Sequence, residues 1–172
     1  MIFSMFSSDE TLLRQIIMDH YRNPRNKGLI NDKKYHTVHL KNPSCGDDLT
    51  VQLAVSDGKI TDVRQSGAGC SICCSSASMM SELIKGHTLS EAQSLIKNFR
   101  NMVESEPYNE ADLGDAISLQ GVSHLPQRVK CATLSWLACQ QGIDEIEAGL
   151  PSAAEPRTVS CTLTEASLKN MH

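Results

Sequence analysis

Three cysteines and one aspartate occupy places where a chain can present reactive or metal-binding thiols. Cys45 lies in the loop Asn42-Pro43-Ser44-Cys45-Gly46-Asp47, Cys70 follows the two glycines of Gly67-Ala68-Gly69, and Cys131 comes shortly after Pro126. Backbone amides without an intrahelical partner, together with the helix dipole, stabilise a thiolate at a helix start. A thiolate is what a metal ligand or a nucleophile has to be. Three thiolates converging from two helices and one loop, with the Asp47 carboxylate two residues from Cys45, would complete a four-ligand tetrahedral site. Spacing alone does not force that convergence, since Cys70 follows Cys45 by 25 residues and Cys131 follows Cys70 by 61.

The other thiols read differently. Cys70-Ser71-Ile72-Cys73 has the spacing of a redox pair, but the segment before it has the pattern of an antiparallel hairpin rather than a βαβ unit, which argues against thioredoxin-type chemistry. A zinc ribbon needs a second Cys-x-x-Cys, and the sequence has none. Cys73 and Cys74 are expected outside the ligand set; Cys73 is the nearer competitor, because position i+3 shares a helix face with Cys70. Cys139 falls on a stripe with Trp136 and is expected in the core, while Cys161 is expected to be an incidental thiol of a tail. His20 sits on the apolar face of the first predicted helix and is expected as a packed, hydrogen-bonded histidine, and His124 as a loop residue.

Composition narrows the function classes. The chain has 172 residues, 40% of them apolar, which suits one ordinary domain with a core. A net charge of −4 provides no basic face for nucleic acid. Arg22, Arg25, Lys27, Lys33 and Lys34 form a small local group read as solvated surface. No apolar run approaches the roughly 18 residues of a membrane span. Met1 to Phe6 lacks a basic start and runs into Asp9 and Glu10, so no signal peptide is expected and a cytoplasmic location is. Seven cysteines make an odd count, and a reducing compartment would not sustain a disulfide framework, which favours metal ligation or thiol chemistry.

The elements that must position these residues follow from periodicity. Ser7 with Glu10 forms a capping-box pattern, and Leu13, Ile16, Ile17, His20 and Tyr21 recur at helical spacing, predicting a helix from about Asp9 to Tyr21. Leu49, Val51, Leu53 and Val55 alternate with polar or small residues, and Asp57-Gly58 supplies a two-residue turn before Ile60 and Val63. That is a β-hairpin, with Tyr35 to Lys41 as a third strand. Gly67 and Gly69 end the sheet, so the thiol cluster opens the next helix, which runs to Gly86. Thr88 with Glu91 caps another helix, a short helical piece falls near Ala111 to Ser118, and the last helix spans about Pro126 to Gln141 with Gly142 closing it. The expectation is an α+β domain over 1–143, a three-stranded antiparallel sheet with helices on one face, and a mobile tail over 144–172.

Four segments carry a family resemblance: Asp19-His20-Tyr21-Arg22-Asn23-Pro24-Arg25-Asn26-Lys27-Gly28, the Cys45 loop, Gly67-Ala68-Gly69-Cys70-Ser71-Ile72 with Ala77-Ser78-Met79-Met80, and Arg128-Val129-Lys130-Cys131-Ala132-Thr133-Leu134. In this order they resemble the SufU branch of the IscU/NifU N-terminal family over about residues 9–143. The resemblance implies a small three-stranded antiparallel sheet with helices on one side, and a single site made of Cys45, Asp47, Cys70 and Cys131. It implies zinc as the metal, with iron or an iron–sulfur cluster as the alternative.

The scaffold branch of that family carries a histidine before its third cysteine and a Leu-Pro-Pro-Val-Lys motif. Here Lys130 precedes Cys131, the text reads Leu125-Pro126-Gln127-Arg128-Val129-Lys130, and a long segment separates the second and third cysteines. These departures favour the sulfur-transfer branch. The implied activity is that of a zinc-dependent sulfurtransferase, taking persulfide sulfur from a SufS-type cysteine desulfurase onto Cys45 and delivering it to downstream iron–sulfur assembly proteins. The alternative is a scaffold binding a cluster through the same three cysteines. With a divalent ion the Cys₃Asp set falls from a formal charge of about −4 to about −2, and Arg128 and Lys130 are candidates to offset the excess. Asp47, the hardest ligand, is the candidate whose exchange against a partner's group frees Cys45 to act.

Overall fold

The computed structural model describes residues 10–153 and 156–158, in the order α1 (Glu10–Arg22), β1 (Tyr35–Asn42), β2 (Asp47–Ser56), β3 (Lys59–Ala68), α2 (Ser71–Ile84), α3 (Leu89–Val103), two 3-10 helices (Glu110–Asp112 and Gly114–His124), α4 (Pro126–Glu147) and β4 (Arg157–Thr158). The α+β class is as expected. The Ser7 half of the first capping-box pattern and Cys161 lie outside the described residues.

Alternation in β2 is expressed directly: Leu49, Val51 and Leu53 are each 1% exposed and face the core. The β2–β3 turn has φ +54 at Asp57 and +73 at Gly58, the two left-handed residues that let a two-residue hairpin follow the strand twist. β1 pairs with β2 from Tyr35 opposite Ala54 to Asn42 opposite Asp47, both antiparallel to their neighbours, and β2 pairs with β3 from Asp48 opposite Ala68 to Ser56 opposite Lys59. The sheet has four strands rather than three, ordered β3-β2-β1-β4, because Arg157 and Thr158 pair in parallel with Leu40 and Lys41. Two residues carry no detectable alternation, so this strand leaves no pattern to read.

Helices α2 and α4 close the apolar face. Trp136 of α4 stacks on Phe99 of α3 with ring centroids 4.0 Å apart and planes 7° from parallel. Its indole Nε1 donates to the Ser76 hydroxyl of α2 at 2.8 Å, which in turn donates to the Ala132 carbonyl at 2.5 Å. Three helices are thereby joined around one ring. On the opposite face, the buried Gln52 side chain takes the Ile30 N–H at 2.8 Å and donates to the Ile30 carbonyl at 3.0 Å, securing the loop after α1. The Thr88–Glu91 capping box forms as predicted, with both reciprocal hydrogen bonds made.

The last helix departs from expectation. It passes through Gly142 and ends at Glu147, so the boundary drawn at residue 143 falls inside α4. Gly142 marks a close approach instead of a stop: a Cβ there would meet Leu53 Cδ1 at 3.0 Å and Val38 Cγ2 at 3.4 Å. Beyond α4, the Thr37 amide donates to Ser152 Oγ at 2.9 Å, and Arg157 Nη1 donates to Glu145 Oε2 at 2.5 Å. The described part of the predicted tail is therefore attached to β1 and α4. The short helical piece expected near Ala111 to Ser118 is two 3-10 segments that extend to His124. Among the described residues no helix is long and apolar enough to cross a membrane.

Candidate metal centre

The β1–β2 connection is shaped by Asn42, which is 2% exposed. Its carbonyl receives the amides of Cys45 at 3.3 Å and Gly46 at 2.9 Å, and Gly46 takes φ +72 to complete the tight return. The Asn42 side chain accepts from the Ser44 hydroxyl at 2.8 Å and donates toward Cys45 Sγ at 3.6 Å. Cys45 is thus held at the tip, exposed, while Asp47 starts β2 with 1% exposure. Asn42 was read only as part of a loop motif; its structural signal is the Asn-Pro pair that opens a turn.

Cys70 is the N-cap residue of α2 and half-buried, and its amide donates to Asp47 Oδ1 at 3.3 Å. The two glycines before it are required by crowding. A Cβ at Gly67 would lie 2.1 Å from the Asp48 carbonyl, and one at Gly69 would lie 2.6 Å from Asp47 Oδ1 and 3.2 Å from the Cys73 sulfur. Only glycine lets the sheet-to-helix junction come this close to the carboxylate.

Cys131 arrives from the second turn of α4, 2% exposed. The ligand atoms of Cys45, Asp47 and Cys131 all lie within 4.8 Å of one another, across the long sequence gaps. Cys70 does not fall within that same spread; it stands beside it through its amide bond to Asp47. The Arg128 guanidinium is placed next to the Cys70 and Cys131 sulfurs, and the negative charge of Cys70 raises its already high pKa further. Lys130 is half-buried and makes no hydrogen bond or ion pair to these groups among the described residues. Cys73 is buried against the site and Cys74 is half-buried, its Sγ donating to the Gly69 carbonyl at 3.6 Å; neither joins the trio. Cys139 is fully buried, as expected, and burial pushes its thiol up to about 12.

The acidic groups of this arrangement crowd one another. Burial pushes the Cys131 thiol well above its ordinary range, and the adjacent Asp47 and Cys70 add to the shift. Asp47 Oδ2 is buried and has no hydrogen-bond partner among the described residues. A carboxylate oxygen left alone in the interior is costly unless a cation meets it. Thiolate sulfur with carboxylate oxygen in four-coordinate geometry is a donor set suited to zinc. The residues present therefore fit such an ion, with Cys45, Asp47 and Cys131 as the core and Cys70 within reach.

A small α+β sheet whose strand turn, sheet-to-helix junction and last helix deliver thiols to one buried carboxylate defines a class of metal-binding domain. The family model for the NifU-like N terminal domain matches residues 12–145, and the chain belongs to that family. It is 46% identical over 141 residues to a Bacillus subtilis protein named zinc-dependent sulfurtransferase SufU, covering 81% of this chain and 95% of that one. It is 35% identical over 133 residues to an iron-sulfur cluster assembly scaffold protein IscU of Streptococcus pyogenes, covering 77% and 82%. Among solved structures, a SUF-system iron-sulfur cluster assembly scaffold protein from Fervidobacterium islandicum superposes with a TM-score of 0.69 at 35% identity, covering 75% of this chain and 94% of that one.

Proposed function

We propose that the chain is a zinc-dependent sulfurtransferase of iron–sulfur cluster biogenesis, which accepts persulfide sulfur on Cys45 from a SufS-type cysteine desulfurase. The observation that carries this reading is the asymmetry of the site: of the three converging ligands, Cys45 alone is exposed, while Asp47 and Cys131 are buried. An acceptor must meet a partner's persulfide, and a buried thiol cannot. The name of the Bacillus relative and Lys130 in place of histidine before Cys131 support the same reading.

In the proposed step the Cys45 thiolate attacks the outer sulfur of the desulfurase's cysteine persulfide. The donor's S–S bond breaks, its cysteine leaves as a thiolate, and Cys45 carries the sulfur at an unchanged total oxidation level. Zinc, held by Cys45, Asp47, Cys70 and Cys131, supplies the positive charge that keeps thiols ionised and adds no redox chemistry of its own. Asp47, Cys70 and Cys131 would keep the ion in place when Cys45 turns to the partner. Arg128 balances the remaining negative charge at Cys70 and Cys131. Downstream iron–sulfur assembly proteins receive the sulfur.

The test is sulfide release from cysteine by the desulfurase with each variant, together with mass spectrometry for one added sulfur, about 32 Da, on the Cys45 peptide. Wild type is expected to stimulate release and carry the adduct. Cys45→Ala is expected to do neither. Asp47→Ala, which keeps the acceptor thiol, is expected to loosen zinc and slow turnover. If wild type gives no stimulation and no adduct but assembles a coloured cluster that it passes to an apo-acceptor, the scaffold reading replaces this one.

A further inference from the structure

α2 opens on a Cys-x-x-Cys pair whose second thiol has no part in the proposed transfer. Cys70 is the N-cap residue, in extended backbone at φ −70 and ψ 170, and Cys73 is the third residue of the helix. N-cap side chains ordinarily fold back over the second and third helical residues. Among the described residues the Cys70 side chain makes no such cap bond; its sulfur lies next to the Arg128 guanidinium instead, and its charge acts on Cys131. Cys70 therefore has two places to go, the metal site and the first turn of its own helix. We infer that Cys70 and Cys73 form an oxidisable pair, which a hydroperoxide closes into a disulfide that withdraws Cys70 from the metal site and releases the ion. This rests on the zinc reading proposed above, with Cys70 as a ligand.

The backbone sets the two thiols within bonding reach. The Cys70 carbonyl accepts the Cys74 amide at 3.0 Å, so Cys70 already stands in the helical ladder. Helical rise and radius then put Cα atoms three residues apart at about 5 Å, inside the roughly 4.4–6.8 Å that a disulfide spans. Cys73 is turned toward the same end of the helix: a Cβ at Gly69 would meet both its Cβ and its Sγ at 3.2 Å. Burial pushes the Cys73 thiol up, and the negative groups of Asp47, Cys74 and Cys70 around it add to the shift. Exposure divides the roles. Cys70 is half-buried and open to a small oxidant, whereas Cys73 is 1% exposed and shielded from one. Cys74 also approaches Gly69, but its sulfur donates to the Gly69 carbonyl at 3.6 Å, and it stands one residue beyond the span of an N-cap side chain. The pair is thus no catalytic dithiol of thioredoxin type; what it acts on is the metal site beside it.

The chemistry takes two steps and one oxidant. The Cys70 thiolate attacks an oxygen of the hydroperoxide and the O–O bond breaks, which leaves a sulfenic acid on Cys70 and an oxyanion that takes a proton from solvent. The Cys73 thiol then attacks the Cys70 sulfur, the S–O bond breaks, and the hydroxyl leaves with the Cys73 proton as water. Two electrons have passed from the sulfur pair to the peroxide. A disulfide sulfur carries no thiolate charge, so Cys45, Asp47 and Cys131 are left to hold the ion with one ligand fewer. A reductant that cleaves the disulfide restores Cys70 to the site.

The test uses the full chain, purified under reduction, with its zinc counted first and hydrogen peroxide then added in the presence of a colorimetric zinc chelator. Free thiols are blocked with N-ethylmaleimide, disulfides are reduced, and the thiols so released are labelled with iodoacetamide. The tryptic peptide Gln65–Lys85 carries Cys70, Cys73 and Cys74 and no other cysteine, so the two labels assign the pair. In wild type the second label should fall on Cys70 and Cys73, the first on Cys74, and zinc should appear in step with the disulfide. Cys73→Ala should hold its zinc before oxidation and release it about tenfold more slowly after peroxide, while Cys74→Ser should behave as wild type. A disulfide from Cys70 to Cys74 or Cys45, or equal release from Cys73→Ala, overturns the inference and leaves the zinc reading intact. A Cys70–Cys73 disulfide formed with zinc retained also overturns it, and takes Cys70 out of the ligand set. Zinc absent from reduced wild type defeats the zinc reading itself, and the inference with it.

Discussion

Two buried polar clusters lie in this domain and they are finished to different degrees. In one, His20 is fully buried between Ser78 and Asp115. His20 Nε2–H donates to the Asp115 carboxylate at 2.8 Å, and Nδ1 is paired at 2.7 Å with the Ser78 hydroxyl, whose oxygen also receives the Arg25 amide at 2.9 Å. Glu82 brings a third ligand atom, so this group also has the outline of a metal site, yet both imidazole nitrogens are already satisfied by the protein. In the other, Asp47 Oδ2 has no hydrogen-bond partner among the described residues, and the neighbouring Cys131 thiol is driven up. Closely grouped ligand types do not define a binding site. An unmet demand for charge does.

The largest effect expected from this contrast is loss of zinc on Cys131→Ser, from about one ion per chain to less than a tenth, read by metal analysis of purified protein. Full zinc content in that variant would dissolve the distinction between the clusters. Next comes His20→Ala, which should destabilise the fold by about 3 kcal/mol in urea titration because it leaves a cavity and unpaired Ser78 and Asp115, with zinc content unchanged. Loss of zinc there would make the histidine cluster part of the metal chemistry. Gly69→Ala should weaken zinc about tenfold, as the added methyl displaces Asp47 Oδ1; a competitive chelator titration measures it.

A smaller effect belongs to the clamp on β4. Burial opposes ionisation of Glu145, but Arg157 and His36 outweigh it and lower its pKa from 4.5. The stabilisation is therefore complete above about pH 4.5 and is lost as pH falls through the lower folded value. The difference in urea midpoint between wild type and Glu145→Gln should close over that range. A difference that persists in acid would show that charge is not its source. The smallest effect expected is none: Cys73→Ser/Cys74→Ser should retain wild-type zinc, and a fall well below one ion per chain would bring these thiols into the ligand set.

The histidine cluster and the thiol cluster were also unequally legible in the sequence. His20 was readable as a packed residue because helical spacing put it on the apolar face of α1. The hairpin was readable from alternation and Asp57-Gly58, and α3 from Thr88 and Glu91. Convergence of Cys131 on Cys45 and Asp47 was not readable from spacing, since contacts across such gaps are made by tertiary packing; it entered through the family resemblance. Gly142 misled because glycine most often ends a helix, whereas here it serves the 3.0 Å approach to Leu53. Pairing of β4 was hidden because two residues express no period, and the orphaned Asp47 oxygen is a three-dimensional fact with no linear signature.

The ring stack of Trp136 on Phe99 gives the molecule a built-in optical gauge. Trp136 is the single tryptophan of the chain, so its emission and its near-ultraviolet circular dichroism are unmixed with any other indole. Its hydrogen bond ends on α2, whose N-cap is Cys70, while the ring itself belongs to α4, which carries Cys131. Any separation of those two helices must break that hydrogen bond and so change the surroundings of the indole. Ultraviolet light alone, without a dye or a label, can therefore follow whether the thiols of the two helices still face each other.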